Sequence, residues 1–271
     1  MKQGDKGESG GHRRLDEAGL RWRAPGEDDV LLALDDTDNL ESPGTGFRAR
    51  ELSCLLAEAG LGKALAITRH QLLVDPAIPY TSHNSAACIV LGEVDDEGAV
   101  FRLACDYLAG AAAPGSDVGL CVLRRGAVDA ALGQWGRAAQ QRVLTLAAAR
   151  TLASEHELAH AELSGTGGGL IGALAAIGLH AGGNDGRLLW LRGVRGWPER
   201  QVSILELASR CNLVCETEDG KAVTDGASLV ELGDWARAIY RRHRPVLLVE
   251  KNDESTLVPW RCVPRDVVKR F

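Results

Sequence analysis

The chain has 271 residues, 45% of them hydrophobic and 25% charged, with a formal net charge of −6 at pH 7. That length holds one large domain or two ordinary ones, and the acidic balance argues against an extended polyanion as the dominant partner, because tight nucleic-acid binding needs several Lys or Arg on phosphates. Aromatic residues are scarce at 4% and glycines number 32, which favours close backbone approach over an aromatic base-stacking surface.

Residues 1–28 mix glycine with both signs of charge and show no hydrophobic period, so they are expected to be a disordered leader. From Val30 the pattern alternates. Residues 29–35 read as a buried strand, and Thr45 to Ala59 as a helix with Phe47, Leu52, Leu55 and Leu56 on its apolar face, stopped by Gly60. Strands are expected near 63–73 and 86–94, a helix over 97–110 and a strand over 118–123. A long Ala- and Leu-rich helical region follows over 128–156, with a break near Gly133 or Gly136. A small-residue helix then spans Leu170 to Ile177, ended by Gly178. Later strands are expected at 188–194, 213–216 and 246–250, with helices near 202–210 and across Leu229 to Arg242.

The alternation predicts an α/β or α+β fold, sheets covered by helices. The region around 125–160 is the expected joint between two parts, 29–125 and 126–271, with an interleaved arrangement as the alternative. No apolar run approaches the ~18 residues of a membrane span and the N-terminus is polar, so a cytoplasmic protein is expected. The seven cysteines mostly sit inside apolar segments and read as buried thiols of a reducing compartment. Cys211 and Cys215 form a C-x₃-C spacing, but without a second pair or a nearby His they make a poor zinc site.

The densest chemistry is Asp35-Asp36-Thr37-Asp38, directly after the apolar strand. Three carboxylates in four residues repel one another, and a cation is the simplest reason to place them there. Asp35, Asp36 and Asp38 are therefore the candidate Mg²⁺ ligands and acid–base groups, with Thr37 or Thr45 supplying a hydroxyl. Gly44 and Gly46 let backbone N–H groups approach a phosphate at the start of the following helix. The competing reading is a helix cap with solvated acids. Haloacid-dehalogenase-type phosphatases also place D-x-D-x-[TV] after an apolar strand, but reading from Asp36 gives D-T-D-N-L, without the Thr or Val.

Two further segments stand out. The stretch Asp75 to Asn84 is held extended by Pro76 and Pro79 and leads into a strand, with His83 and Asn84 placed to face a ligand. The run Gly165-Thr166-Gly167-Gly168-Gly169-Leu170-Ile171-Gly172 precedes a helix and is open enough to cradle a phosphate, although it lacks the G-K-[ST] of a P-loop.

In this order, the acidic quartet with Gly44-Thr45, the P-x-I-P-Tyr80-x-x-x-Asn84 element and the run Gly167 to Gly178 resemble the tRNA 2-agmatinylcytidine synthetase family, which modifies an isoleucine tRNA anticodon. The resemblance covers roughly residues 30–195. It implies a kinase-like α/β domain packed with a ferredoxin-like domain, ATP and Mg²⁺ as cofactors, and a ligase or phosphotransferase activity. It further implies metal and phosphoryl-transfer roles for Asp35, Asp36 and Asp38, and a phosphorylated threonine at Thr45. Thr37, Gly44, Gly46, Gly167, Gly168 and Gly169 are the nucleotide-side residues, and His83, Asn84 and Gly172 the substrate-side ones. The chain departs from the family pattern in having His83 where an Arg is common and Gly46 after Thr45. It also ends at Phe271 without paired C-x₂-C knuckles. The expected partner is therefore a small or nucleoside-like molecule rather than tRNA, with a homodimer as the oligomer to test. The basic run Arg241-Arg242-His243-Arg244 is expected at a helix end or on a solvated face.

Overall fold

The computed structural model describes residues 14–78, 84–194, 200–233 and 235–271. The chain opens with a short helical turn over 14–18. Leu15 and Trp22 are buried, Leu20 N–H donates to the Ala64 carbonyl at 2.7 Å, and the indole of Trp190 donates to Asp16 at 2.8 Å. For residues 14–28 the expected disorder is thus overturned: two large apolar side chains dock a segment whose overall composition is polar. Residues 1–13 lie outside the described ones.

Strand β1 (Val30–Asp35) leads through a loop to helix α1 (Thr45–Glu58), followed by β2 (Lys63–Gln71), β3 (Ser85–Gly92), α2 (Glu97–Ala111) and β4 (Gly119–Arg124). Alternate residues of β1 serve two cores. Val30, Leu32 and Leu34 pack with α1 and α2, whereas Leu31 and Ala33 pack on the opposite face. A strand covered on both sides has no solvated face, which is why β1 is apolar without interruption. Each fully buried leucine contributes about 2 kcal/mol.

The opposite face is covered by α3 (Ala130–Ala139), α4 (Leu146–Glu155) and α5 (Gly169–Gly182), with the short strand β5 (Ala159–Glu162) between the last two. The helical region breaks at residues 140–145, where Thr145 caps α4, and not at Gly133 or Gly136. Gly136 lies inside α3 because it packs on α5: a Cβ there would meet the Ala175 carbonyl at 2.9 Å. Gly178, expected as a stop, is likewise inside α5, which ends at a left-handed Gly183.

Strands β6 (Arg187–Trp190), β7 (Gln201–Ser203), β8 (Val214–Glu216), β9 (Leu229–Glu231), β10 (Ala238–Arg241), β11 (Arg244–Lys251) and β12 (Trp260–Cys262) continue the sheet, with α6 (Ile204–Cys211) and the short α7 (Arg265–Val268) beside them. Among the described residues the strand order is β5-β4-β1-β3-β2-β6-β10-β11-β12-β9-β7, with β8 on β11. Among the described residues only the β8–β11 and β12–β9 pairs are parallel. The protein is a mixed α/β fold, in which strands from either side of residue 125 share one sheet: β5 pairs β4, and β6 pairs β2.

The helix expected across Leu229 to Arg242 is replaced by β9 and β10, and the basic run by the β10–β11 hairpin turn. Arg241, Arg242 and Arg244 all pair with the buried carboxylate of Glu216, at 3.6 Å for Arg241 and 2.8 Å for Arg244. They hold the turn to β8 and neither cap a helix nor form a free solvated face. Cys211 and Cys215 are buried, and burial pushes their thiols up to about 11 and about 12. No helix among the described residues is long and apolar enough to cross a membrane.

Gly178 gives a sign test of this packing. A Cβ there would lie 2.0 Å from the Leu132 carbonyl oxygen of α3. In an open helix Gly→Ala stabilises by about 1 kcal/mol, whereas forcing two packed backbones apart costs about 1–3 kcal/mol. Gly178→Ala is therefore expected to lower the urea midpoint, and an unchanged or raised midpoint would show that α3 and α5 are less tightly apposed.

Candidate functional site

The end of β1, the start of α1, the segment entering β3 and the start of α5 meet at one cavity of ≈ 540 Å³. Asp35, Asp36, Asp38, Gly44, Thr45, Gly46, Asn84, Gly168, Gly169 and Gly172 all line it. Thr37 does not: its side chain is fully buried, and its hydroxyl donates to Thr45 Oγ1 at 3.1 Å. Gly167 also lies off the cavity, in a left-handed turn against Glu162. His83 falls outside the described residues.

The aspartates are divided among different partners. Asp38 Oδ1 accepts from the Thr45 hydroxyl at 2.8 Å and from the Thr45 N–H at 3.3 Å, so it caps α1 while holding that hydroxyl. Asp36 is in the left-handed region, with φ 51°, and its Oδ2 accepts from the Asp117 N–H at 3.2 Å. Asp35 accepts from the Asp36 N–H at 2.8 Å and lies against α5, where a Cβ on residue 172 would come within 1.8 Å of its Oδ2. Gly172 is thus the residue that lets the carboxylate rest on the helix. Among the described residues no three carboxylate, imidazole or thiolate groups are grouped to hold a metal ion. The expected three-aspartate metal cluster is not preformed, because the fold gives each carboxylate its own hydrogen-bonding work.

Burial dominates the electrostatics. It pushes the Asp35 carboxyl from the ordinary 3.8 up to about 7, helped by the charges of Asp36 and Asp38 and opposed by the Asp36 N–H and by Arg69. Asp36 is raised for the same first reason, with the Asp117 N–H opposing. Burial lowers the pKa of Arg69, and Asp35 partly offsets this.

Several lining residues were not legible in the sequence. Asp117 precedes β4 and accepts from the Thr166 N–H and hydroxyl at 2.6 and 2.7 Å, while its backbone carbonyl accepts from Gly169 N–H at 2.8 Å. It anchors the glycine-rich turn to the acidic side. Arg50, Arg69, Arg142, Arg187, Arg237 and Arg265 also face the cavity, with Trp235. They are single residues far apart in the chain, with no local motif to announce them. Asn84, in contrast, spends its amide N–H on the Leu73 carbonyl at 2.7 Å and so holds the loop while lining the cavity.

No family model and no curated protein matches the chain. Among solved structures it is similar to apo TiaS, an agmatidine synthetase acting on an isoleucine tRNA, at 26% identity over 55% of this chain and 35% of that one, with a TM-score of 0.48. The complex of TiaS with that tRNA and ATP gives 26% identity, 55% and 36% coverage and 0.49. Its complex with the tRNA, AMPCPP and agmatine gives 25%, 55%, 36% and 0.48. The chain thus spans about a third of the length of the solved chains it matches.

The Asp35 shift carries a sign. A carboxyl whose pKa is higher folded than unfolded gives stability below its unfolded pKa and loses it as pH rises through the folded one. Without divalent cations, the wild-type melting temperature is expected to fall between about pH 4 and pH 7. Asp35→Asn, which has no proton to lose, should flatten that slope. Parallel profiles for the two proteins would refute the burial of this carboxyl.

Proposed function

We propose that the chain is an ATP-dependent phosphotransferase or ligase acting on a small or nucleoside-like acceptor. The observation that supports it is the convergence of motifs far apart in sequence on one cavity, where the Thr45 hydroxyl donates to Asp38. The starts of two 14-residue helices, α1 and α5, line the same space with Gly44 to Gly46 and Gly168 to Gly169. Helix starts carry the positive end of the dipole, which suits phosphates, although here the Thr45 N–H is already bonded to Asp38 and the Gly169 N–H to the Asp117 carbonyl.

The donor set is oxygen only, carboxylates and hydroxyls, and this suits a hard cation. A Mg²⁺ that arrives with a nucleotide keeps phosphate and water ligands and needs only one or two protein carboxylates, so the lack of a three-carboxylate cluster is compatible with it. Asp35 and Asp36 are the residues that would hold it, and it would supply charge neutralisation at the phosphates. Burial pushes the Asp35 carboxyl up to about 7, and a bound cation would favour its ionised form.

The protein's own groups then have distinct tasks. Asp38 orients the Thr45 hydroxyl and is placed to take its proton. Thr37 fixes that hydroxyl from behind. In the transfer the acceptor oxygen forms a bond to the terminal phosphorus, the bond from that phosphorus to the bridging oxygen breaks, and the nucleoside diphosphate leaves. By the family resemblance Thr45 is one acceptor, and a carbonyl or hydroxyl oxygen of the substrate the other.

Thermal melting with ATP and Mg²⁺, followed by phosphate-transfer assays with amines such as agmatine and with tRNA, tests this reading. Stabilisation with turnover is expected, and Asp36→Asn should lose about 100-fold or more in rate. Stabilisation without turnover for any acceptor would make the chain a nucleotide sensor. Wild-type turnover in Asp36→Asn would remove the acidic segment from the chemistry.

A further inference from the structure

The two faces of the sheet contribute unlike halves to the cavity. On the face covered by α3 to α5, the lining includes Leu72, Ala86, Ala139, Val143, Leu144 and Ile171. Five of these six belong to the core of that face or pack against it. Val143 is the exception, a large apolar side chain left 47% exposed where it lines the cavity. Apolar surface held in water carries a free-energy cost, which a ligand that covers it recovers.

The polar atoms around this wall are already occupied. Leu72 donates its N–H to the Asn84 carbonyl at 2.9 Å, and its own carbonyl accepts from the Gln71 side chain at 3.1 Å. Leu73 donates to the Ala139 carbonyl at 3.0 Å and accepts from the Asn84 amide at 2.7 Å. The Ile171 carbonyl accepts from the Trp135 indole at 3.1 Å. Gln140 ties the loop after α3 to the Gln71 carbonyl and to Asp185, at 3.1 and 2.8 Å. A ligand here therefore meets hydrocarbon that is held in place, with the neighbouring backbone groups engaged elsewhere. Arg142, exposed to solvent, is the charged side chain that the same loop brings to the cavity.

Strand order sets the distance from this wall to the acids. β3 separates β1 from β2, so Leu72, just past β2, stands two strand spacings from Asp35, about 10 Å or more. Among the described lining residues the acids are Asp35, Asp36 and Asp38, at or after the end of β1, and Asp117, before β4. The Leu72 end of the wall thus offers no carboxylate to a cationic group.

We propose that the acceptor is an uncharged alcohol with an apolar body. Its hydroxyl lies by the aspartates, and its carbon frame covers Leu72, Val143, Leu144 and Ile171. This rests on the phosphotransferase reading, with the nucleotide held on the α1 side, where Phe47 lines the cavity. Val143 determines the specificity, because its exposed side chain decides whether that surface is apolar.

The full chain, loaded with Mg²⁺ and a non-hydrolysable ATP analogue, is titrated with butan-1-ol, hexan-1-ol and hexane-1,6-diol by ligand-observed NMR. Affinity is expected to rise about fourfold per methylene from butanol to hexanol. The diol sets a second hydroxyl on the wall and should bind about fivefold more weakly than hexanol. Val143→Asn should weaken hexanol by about fivefold or more while changing analogue affinity by less than about twofold. Val143→Leu keeps the wall apolar and should bind hexanol within about twofold of wild type, which guards against a folding defect. Equal affinities for butanol and hexanol, or for hexanol and the diol, overturn the proposal, as does wild-type hexanol binding by Val143→Asn. Displacement of the analogue by hexanol also overturns it, since the wall would then hold the nucleoside. The same dependence on chain length and on Val143 in a protein that fails to bind the analogue would keep the alcohol site and remove the nucleotide reading.

Discussion

The structure depends on one bare-backbone contact, where the start of α5 lies directly on the ends of β1 and β4. A Cβ on Gly119 would stand 2.0 Å from the Leu170 nitrogen, and one on Gly169 2.5 Å from the Asp117 carbonyl oxygen. No side chain fits between helix and sheet here, so α5 approaches as closely as backbone atoms permit. That closeness lets the Gly169 N–H bond the Asp117 carbonyl, seats Asp35 against the bare surface of Gly172, and places the helix start on the same cavity as the acidic loop. Larger residues at these positions would lift α5 away and open the site into a surface groove.

The same contact explains how three neighbouring aspartates coexist in a folded protein. As a string they are a cluster whose repulsion asks for a cation. In the fold their directions diverge: Asp38 turns to Thr45 at the head of α1, Asp36 reaches the Asp117 N–H, and Asp35 is pressed against α5. Hydrogen bonds relieve Asp36 and Asp38 directly. Burial pushes the Asp35 carboxyl up to about 7, and a proton there would relieve the cost of desolvation. A cation and a proton are alternative remedies for the same burial, which makes Asp35 the group whose state depends most on what the cavity holds.

Much of the architecture was legible because both faces of β1 to β4 are covered. Continuous apolar runs such as Val30 to Leu34 and Ala86 to Leu91 leave little choice but buried strands, and the glycine-rich helix announces its own close packing. Legibility failed where tertiary contacts override local pattern. Leu15 and Trp22 are too few to show a period, yet each finds a core. The segment 229–242 has helix-compatible spacing, but Glu216, buried on β8, recruits Arg241, Arg242 and Arg244 into a hairpin. Site residues divide in the same way. Asp35, Asp38, Thr45 and the glycines sit in contiguous motifs, whereas Arg69 and Arg187 become neighbours only through sheet register, which no local spacing encodes.

That register is itself enforced from the far side of the sheet. Successive residues of a strand face opposite ways, so Arg69 points to the cavity while His70 points to α5. His70 is fully buried: its Nδ1 lies 2.7 Å from Asp185 Oδ1, and its Nε2 2.8 Å from Thr68 Oγ1, which is also 3.1 Å from His180 of α5. Gln140, just after α3, donates to the other oxygen of Asp185 at 2.8 Å. A slip of one residue in β2 would tear this buried polar chain apart and leave its members unsatisfied, a penalty of several kcal/mol in all. It would also turn Arg69 away from Arg187. The polar chain behind the sheet therefore fixes the register that sets Arg69 beside Arg187 on the cavity side.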